Sequence, residues 1–232
     1  MVNTERARLR RLSKRAQYDE SSINRILDAG FLAHVGFLVG SQPFVIPTLY
    51  GRHEGTIFLH GSAASRMLKN LAVGVPVCAT VTLVDGLVLA RSAFNHSMNY
   101  RSVMLFGTAR LVDGTEKLLG LKVISEHLLA GRWSDVRPPS AKELRATSVL
   151  QMTIEEASAK VRRGPVLDDE TDYSLPHWAG VLPASVGWQY PIADSRLSPD
   201  LVMPAYLQRL IGAGVSEGHN VKSVTCAREF CE

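Results

Sequence analysis

The residues best placed to do chemistry in this 232-residue chain lie between Pro43 and Asn70. His60, Gly61, Ser62, Ser65 and Arg66 bring two hydroxyls, a guanidinium and an imidazole into one short stretch around a glycine. Hydroxyls donate hydrogen bonds to anions, and the planar guanidinium matches two phosphate oxygens at once. Met67, Leu68, Leu71 and Ala72 then recur at helical spacing, with Gly74 and Pro76 placed to stop the helix. Ser62 or Ser65 is the expected N-cap. A helix start offers unpaired N–H groups and a partial positive charge to an anion. The segment reads as a phosphate cradle, which predicts a phosphorylated cofactor. The plain alternative is that the serines only cap the helix and Arg66 faces water.

Two β-rich runs deliver that turn. Residues 43–50 and 56–60 flank Gly51 to Gly55 and are expected to pair as a hairpin. Before them, Ser21 to Gly30 reads as a helix with Ile23, Ile26 and Leu27 on one face, and Phe31 to Val39 as a first strand. Residues 75–84 and 86–94 are expected as strands joined by a tight Asp85-Gly86 hairpin, with 101–112 as a sixth strand. Glu116 to Leu129 carries a helical apolar pattern, a short helix is expected near Lys142 to Arg145, and Leu150, Met152 and Ile154 alternate as in another strand. Beyond Arg163 the chain is loop-rich, apart from a turn of helix at Tyr206 to Ile211. The fold class is therefore mainly β (α+β), a small antiparallel barrel of about six strands with flanking helices. The expected organisation is a basic arm over residues 1–20, a barrel domain over 21–183 and an extension over 184–232.

Composition narrows the function classes. With 46% hydrophobic and 21% charged residues, the chain can bury one substantial core. No apolar run approaches the roughly 18 residues of a membrane span, and no apolar segment follows the basic N-terminus, so a cytoplasmic protein without a membrane partner is expected. The net charge of +4 is concentrated in residues such as Arg6, Arg8, Arg10 and Arg11. That reads as a solvated or flexible arm, and nucleic acid is not an expected partner. Cys78 is expected in the core, while Cys226 and Cys231 have no accompanying ligand pairs, so no metal site is expected. His34, in an apolar strand, reads as a core histidine. His60 would donate to phosphate or face substrate. His96 has no spaced carboxylate or second histidine. Glu155 and Glu156 read as solvent or dimer charges.

Taken together, the chain resembles the pyridoxamine 5′-phosphate oxidase-like, FMN-binding split-barrel family, in particular its nitroimidazole-resistance branch. The resemblance is carried by His-Val-Gly-Phe at 34–37, Val-Ile-Pro-Thr at 45–48, His-Gly-Ser-Ala-Ala-Ser-Arg at 60–66 and Thr-Val-Thr-Leu-Val-Asp-Gly-Leu-Val-Leu-Ala-Arg-Ser at 80–92. Met-Asn-Tyr-Arg-Ser-Val at 98–103, Ile-Glu-Glu-Ala-Ser-Ala-Lys-Val-Arg at 154–162 and Trp-Ala-Gly-Val-Leu-Pro at 178–183 complete it. It implies a six-stranded antiparallel Greek-key split barrel that forms homodimers, with FMN at the subunit interface. Val45, Ile46, Pro47 and Thr48 would then line the isoalloxazine. His60, Gly61, Ser62, Ser65 and Arg66 would match the phosphate turn, Arg101 and Ser102 the pair reaching the flavin, and Trp178 a tryptophan near the cofactor. Met67 stands where the vitamer oxidases carry a lysine, and their C-terminal Arg-His-Arg-type motif has no counterpart here. The resemblance thus implies an FMN-dependent oxidoreductase taking hydride from a reduced nicotinamide and acting on a small aromatic or nitro compound. Its alternative is a non-catalytic flavin or haem carrier of the same fold.

Overall fold

Alternation decides which side of each strand faces inward. In β2 (Leu32–Val39) the side chains of Ala33, Val35 and Phe37 are buried, whereas Leu32, His34 and Leu38 face outward. His34 is therefore not a core histidine as its apolar neighbours suggest, because it sits one residue out of phase with the buried set. The same period runs through β3 (Gln42–His53), β5 (Val73–Leu89) and β6 (Ser97–Val112), whereas β4 (Thr56–Ser62) buries Ile57, Phe58 and Leu59 in succession and β7 (Thr147–Arg162) alternates only in part. In the computed structural model, which describes residues 4–214, these six strands form an antiparallel ring in the order β7-β4-β3-β2-β5-β6, with β6 returning to β7. The placement of β5 beside β2, after the β2-β3-β4 meander, is a Greek-key connection. Two short strands, β1 (Ala16–Gln17) and β8 (Gly180–Pro183), add to β7 and β5.

The ring is split in two places. β2 pairs with β5 only over His34–Gly36, and β3 pairs with β4 only over Tyr50–His53. Residues 75–84 and 86–94 do not form a hairpin. Val73–Leu89 is one strand, and Asp85-Gly86 marks a register shift within it. A glycine is required there: Gly86 has φ 152°, and a Cβ would lie 2.6 Å from the Leu182 carbonyl of β8. The dipeptide serves a bulge and a close strand approach, not a turn.

Side chains such as Leu27, Val35, Leu59, Leu68, Val81 and Leu105 fill the ring. Helix α1 (Glu20–Ala29) is capped by Asp19, closes one end with Ile23, Ile26 and Leu27, and stops at Gly30. Its Leu27 carbonyl accepts a 2.5 Å hydrogen bond from the buried Tyr50 hydroxyl. α2 (Arg66–Leu71) starts at Ser65, whose hydroxyl accepts from Leu68 N–H, so Ser65 and not Ser62 is the N-cap. α3 (Gly114–Leu128) packs outside the ring on Phe58, Val112 and Val149. α4 (Ala141–Ala146) opens with a Ser140–Glu143 capping box.

Part of the segment expected in solvent is docked: Ala7 is buried and the Arg6 guanidinium lies 4.6 Å from the Phe106 ring centroid. Arg6 also pairs with Glu156, whose side chain is only 13% exposed and so is not a solvent charge. The chain divides into two compact units between Ser185 and Val186, and the second contains α5 (Ala205–Gly214). Cys226 and Cys231 lie outside the described residues. No described helix is long and apolar enough to cross a membrane.

Candidate functional site

The split between β2 and β5 opens a groove of about 650 Å³ lined by Phe37, Phe44, Val45, Val75, Cys78 and Phe106 among others. Phe37 and Phe44 stack in it, centroids 5.7 Å apart. Cys78 lines this groove half-buried instead of sitting in the core, and burial pushes its thiol pKa up, so it is a neutral thiol at pH 7.

β3 forms one wall, and its second edge is open from Gln42 to Leu49 because β4 pairs only beyond that point. Tyr50 donates its N–H toward β2, to the Phe31 carbonyl, so the odd-numbered residues before it turn their backbone groups to the open edge. Pro43 and Pro47 share that parity and place their missing N–H groups where no ladder bond is lost. The N–H groups of Val45 and Leu49 and the carbonyls of Val45 and Pro47 alternate along the edge without a strand partner. A flat heterocycle whose own edge alternates acceptors and donors, as an isoalloxazine does, fits this array. Of the four residues expected to line the ring, Val45 and Pro47 point outward, while Ile46 and Thr48 are half-buried.

Across the second split lies the hydroxyl-rich turn. Ser62 accepts from Ala64 N–H at 3.2 Å and Ser65 from Leu68 N–H at 3.5 Å, leaving both hydroxyl protons free to donate. Arg66 is exposed, and its guanidinium lies 5.5 Å from the centroid of Phe44, a groove residue. Arg66 thus links turn and groove. Gly61 packs tightly, since a Cβ there would lie 3.2 Å from Leu68.

Four expected site residues lie away from the turn and groove of this chain. His60 shares its face of β4 with Phe58, under α3, and lines a different cleft with Leu121, Trp133 and Leu144. Arg101 is held bidentately by Asp85 at 2.6–3.1 Å, which raises its pKa further. It lines a 230 Å³ pocket with Gln17, Ser22, Arg25 and Arg163, none of them in the turn or groove. The Ser102 hydroxyl faces the Lys160 carbonyl at 3.4 Å. Trp178 is 71% exposed and packs its ring over Gly180. Reasoning from sequence missed the aromatic lining of the groove. The signal was there in Phe37 and Phe44, which share the inward face of a two-strand hairpin.

The split ring thus brings together an open strand edge, an aromatic groove and a cationic, hydroxyl-rich turn. The pyridoxamine 5′-phosphate oxidase family matches the chain over residues 19–161, and the protein belongs to that family. Flavocytochrome Anf3 from Azotobacter vinelandii is 43% identical, with a TM-score of 0.83 over 89% of this chain and 97% of the other. An FAD- and haem-binding protein from Mycobacterium smegmatis is 30% identical, with a TM-score of 0.81 over 84% and 97%. A 5-nitroimidazole antibiotic resistance protein from Bacteroides thetaiotaomicron shares the fold at 24% identity, TM-score 0.52, over 63% and 86%. No match was found among curated proteins.

Proposed function

We propose that this protein is a flavin- and haem-binding redox protein that works as a homodimer. The observation that carries the flavin is the open β3 edge beside the aromatic groove, with Arg66 bridging from the phosphate turn to Phe44. The similarity to a flavocytochrome and to an FAD- and haem-binding protein supports a haem alongside it, and favours FAD over the FMN suggested by the sequence. A bound flavin supplies hydride and electron transfer. The chain's part is to orient the ring along the Val45–Leu49 backbone, to anchor phosphate at Ser62, Ser65 and Arg66, and to keep water away with Phe37 and Phe44.

What one chain lacks supports the dimer. Arg101 and Ser102 do not meet the turn or groove of their own chain, and the outward face of β2 and β3 exposes Leu32, Leu38, Val45 and Leu49. A second copy covers that face and brings the missing pair to the cofactor. Light scattering of the purified protein checks this, and a monomer would refute it.

An absorption spectrum of the purified protein, with mass analysis of the released flavin, tests the central reading. Absence of flavin bands together with no quenching of added FAD or FMN fluorescence would remove it. Anaerobic addition of a reduced nicotinamide separates an enzyme from a carrier: bleaching of the flavin bands identifies the donor, after which nitroaromatic compounds are tested as acceptors.

A further inference from the structure

His60 has no hydrogen-bond partner among the described residues, and its Nδ1 is buried. A buried polar atom left unpaired in a native structure calls for a missing partner, often an ion. Other described histidines are accounted for. His127 Nε2 lies 2.7 Å from the Gly30 carbonyl, His96 Nδ1 accepts from Ala90 N–H at 3.1 Å, and His34, His53 and His177 are exposed.

His60 lines a cleft of about 450 Å³ between β4, α3 and α4. Its walls are largely apolar: Leu121 comes from α3, Leu144 from α4, and Trp133, Val136 and Pro139 from the connection between them. The Glu126 carboxylate fixes Trp133 by accepting from the Gly131 and Trp133 N–H groups at 2.7 and 2.8 Å. Arg137 stands at the cleft paired with Glu143 at 2.6 Å, and a guanidinium with five N–H donors keeps some to spare. An apolar slot with one orphaned imidazole, an aromatic wall and a guanidinium fits a planar iron macrocycle with carboxylate side chains.

We infer that His60 is a ligand to the iron of a haem and that the α3–α4 cleft, separate from the flavin groove, is the haem site. This rests on the flavin-and-haem reading above. His60 therefore serves iron and not the flavin phosphate, although it directly precedes the phosphate turn.

The test is optical. The full-length protein is titrated with hemin beside three variants: His60→Gly, His34→Gly and Leu144→Trp. Wild type and His34→Gly are expected to show the same Soret band. His60→Gly is expected to lose or shift it, with free imidazole restoring the wild-type position, while its flavin bands persist as evidence of folding. Leu144→Trp fills the cleft, keeps His60 and is expected to lose haem, which preserves a test should His60→Gly fail to fold. An unchanged Soret band in His60→Gly, or in Leu144→Trp if His60→Gly does not fold, overturns the assignment and leaves the flavin-and-haem reading standing. So does a band lost in His34→Gly but kept in His60→Gly. No Soret band in wild type at any hemin concentration defeats that reading, and the assignment falls with it.

Discussion

Replacing Gly51 by alanine drives a methyl group into the backbone of α3. A Cβ at Gly51 would stand 2.6 Å from both the Cα and the N of Ile124, where carbon contacts settle at roughly 3.5–4.0 Å. Backbone cannot rotate away as a side-chain tip can, so the helix must retreat by about 1 Å. A gap of that size forfeits roughly a quarter to a half of the dispersion attraction for each atom that loses contact. Phe58, Val112, Ile124 and Val149 form the small core that would be loosened. Overpacking of this kind costs about 1–3 kcal/mol. For a unit of this size each kcal/mol moves the melting temperature by roughly 2–4 °C, so a fall of about 4–8 °C is the central expectation. Thermal unfolding is followed by circular dichroism on cofactor-free protein, because bound ligand would mask the change. A melting temperature within about 1 °C of wild type would show that α3 does not rest on β3 as described, and would remove the wall that Leu121 and Ser125 supply to the His60 cleft.

Three further outcomes are expected. Arg66→Ala removes a charge-assisted contact of about 1.5–3 kcal/mol, so flavin affinity by fluorescence quenching should fall roughly tenfold or more with the barrel intact; unchanged affinity would place the phosphate elsewhere. Tyr50→Phe deletes the buried hydroxyl that anchors Leu27, and denaturant unfolding should show a loss of about 1–2 kcal/mol, against no change if α1 is held by packing alone. In cofactor-free protein, the lowered pKa of His60 means that the unfolded chain takes up its proton first as pH falls through about 6.5. Stability should therefore decline from that pH down to the folded-state pKa, and His60→Gln should flatten this part of the curve; identical pH profiles for the two proteins would contradict it.

The strand periods, the α1 and α3 patterns and the Ser-x-x-Ser-Arg turn are all local signals, and a chain of about six antiparallel strands follows from them. Local signals cannot say which of two faces closes inward. His34 lies among apolar residues, yet the ladders to β3 and β5 put Ala33, Val35 and Phe37 inside and leave it out. Asp85-Gly86 has the composition of a hairpin turn, but long-range pairing with β6 and β8 carries the strand straight through it. His60 is next to the phosphate turn in sequence, while the pleat directs it to the opposite face with Phe58.

The amino-acid sequence by itself determined most of the strands and the main helices, the hydroxyl and guanidinium turn, and the family, because these depend on residue type and spacing within a few neighbours. The tertiary structure decided where the ring splits, which edge of β3 stays open, and that His60 and Arg66 face different cavities. Those outcomes depend on the register between strands distant along the chain, and shifting that register by one residue would turn every side chain to the other face.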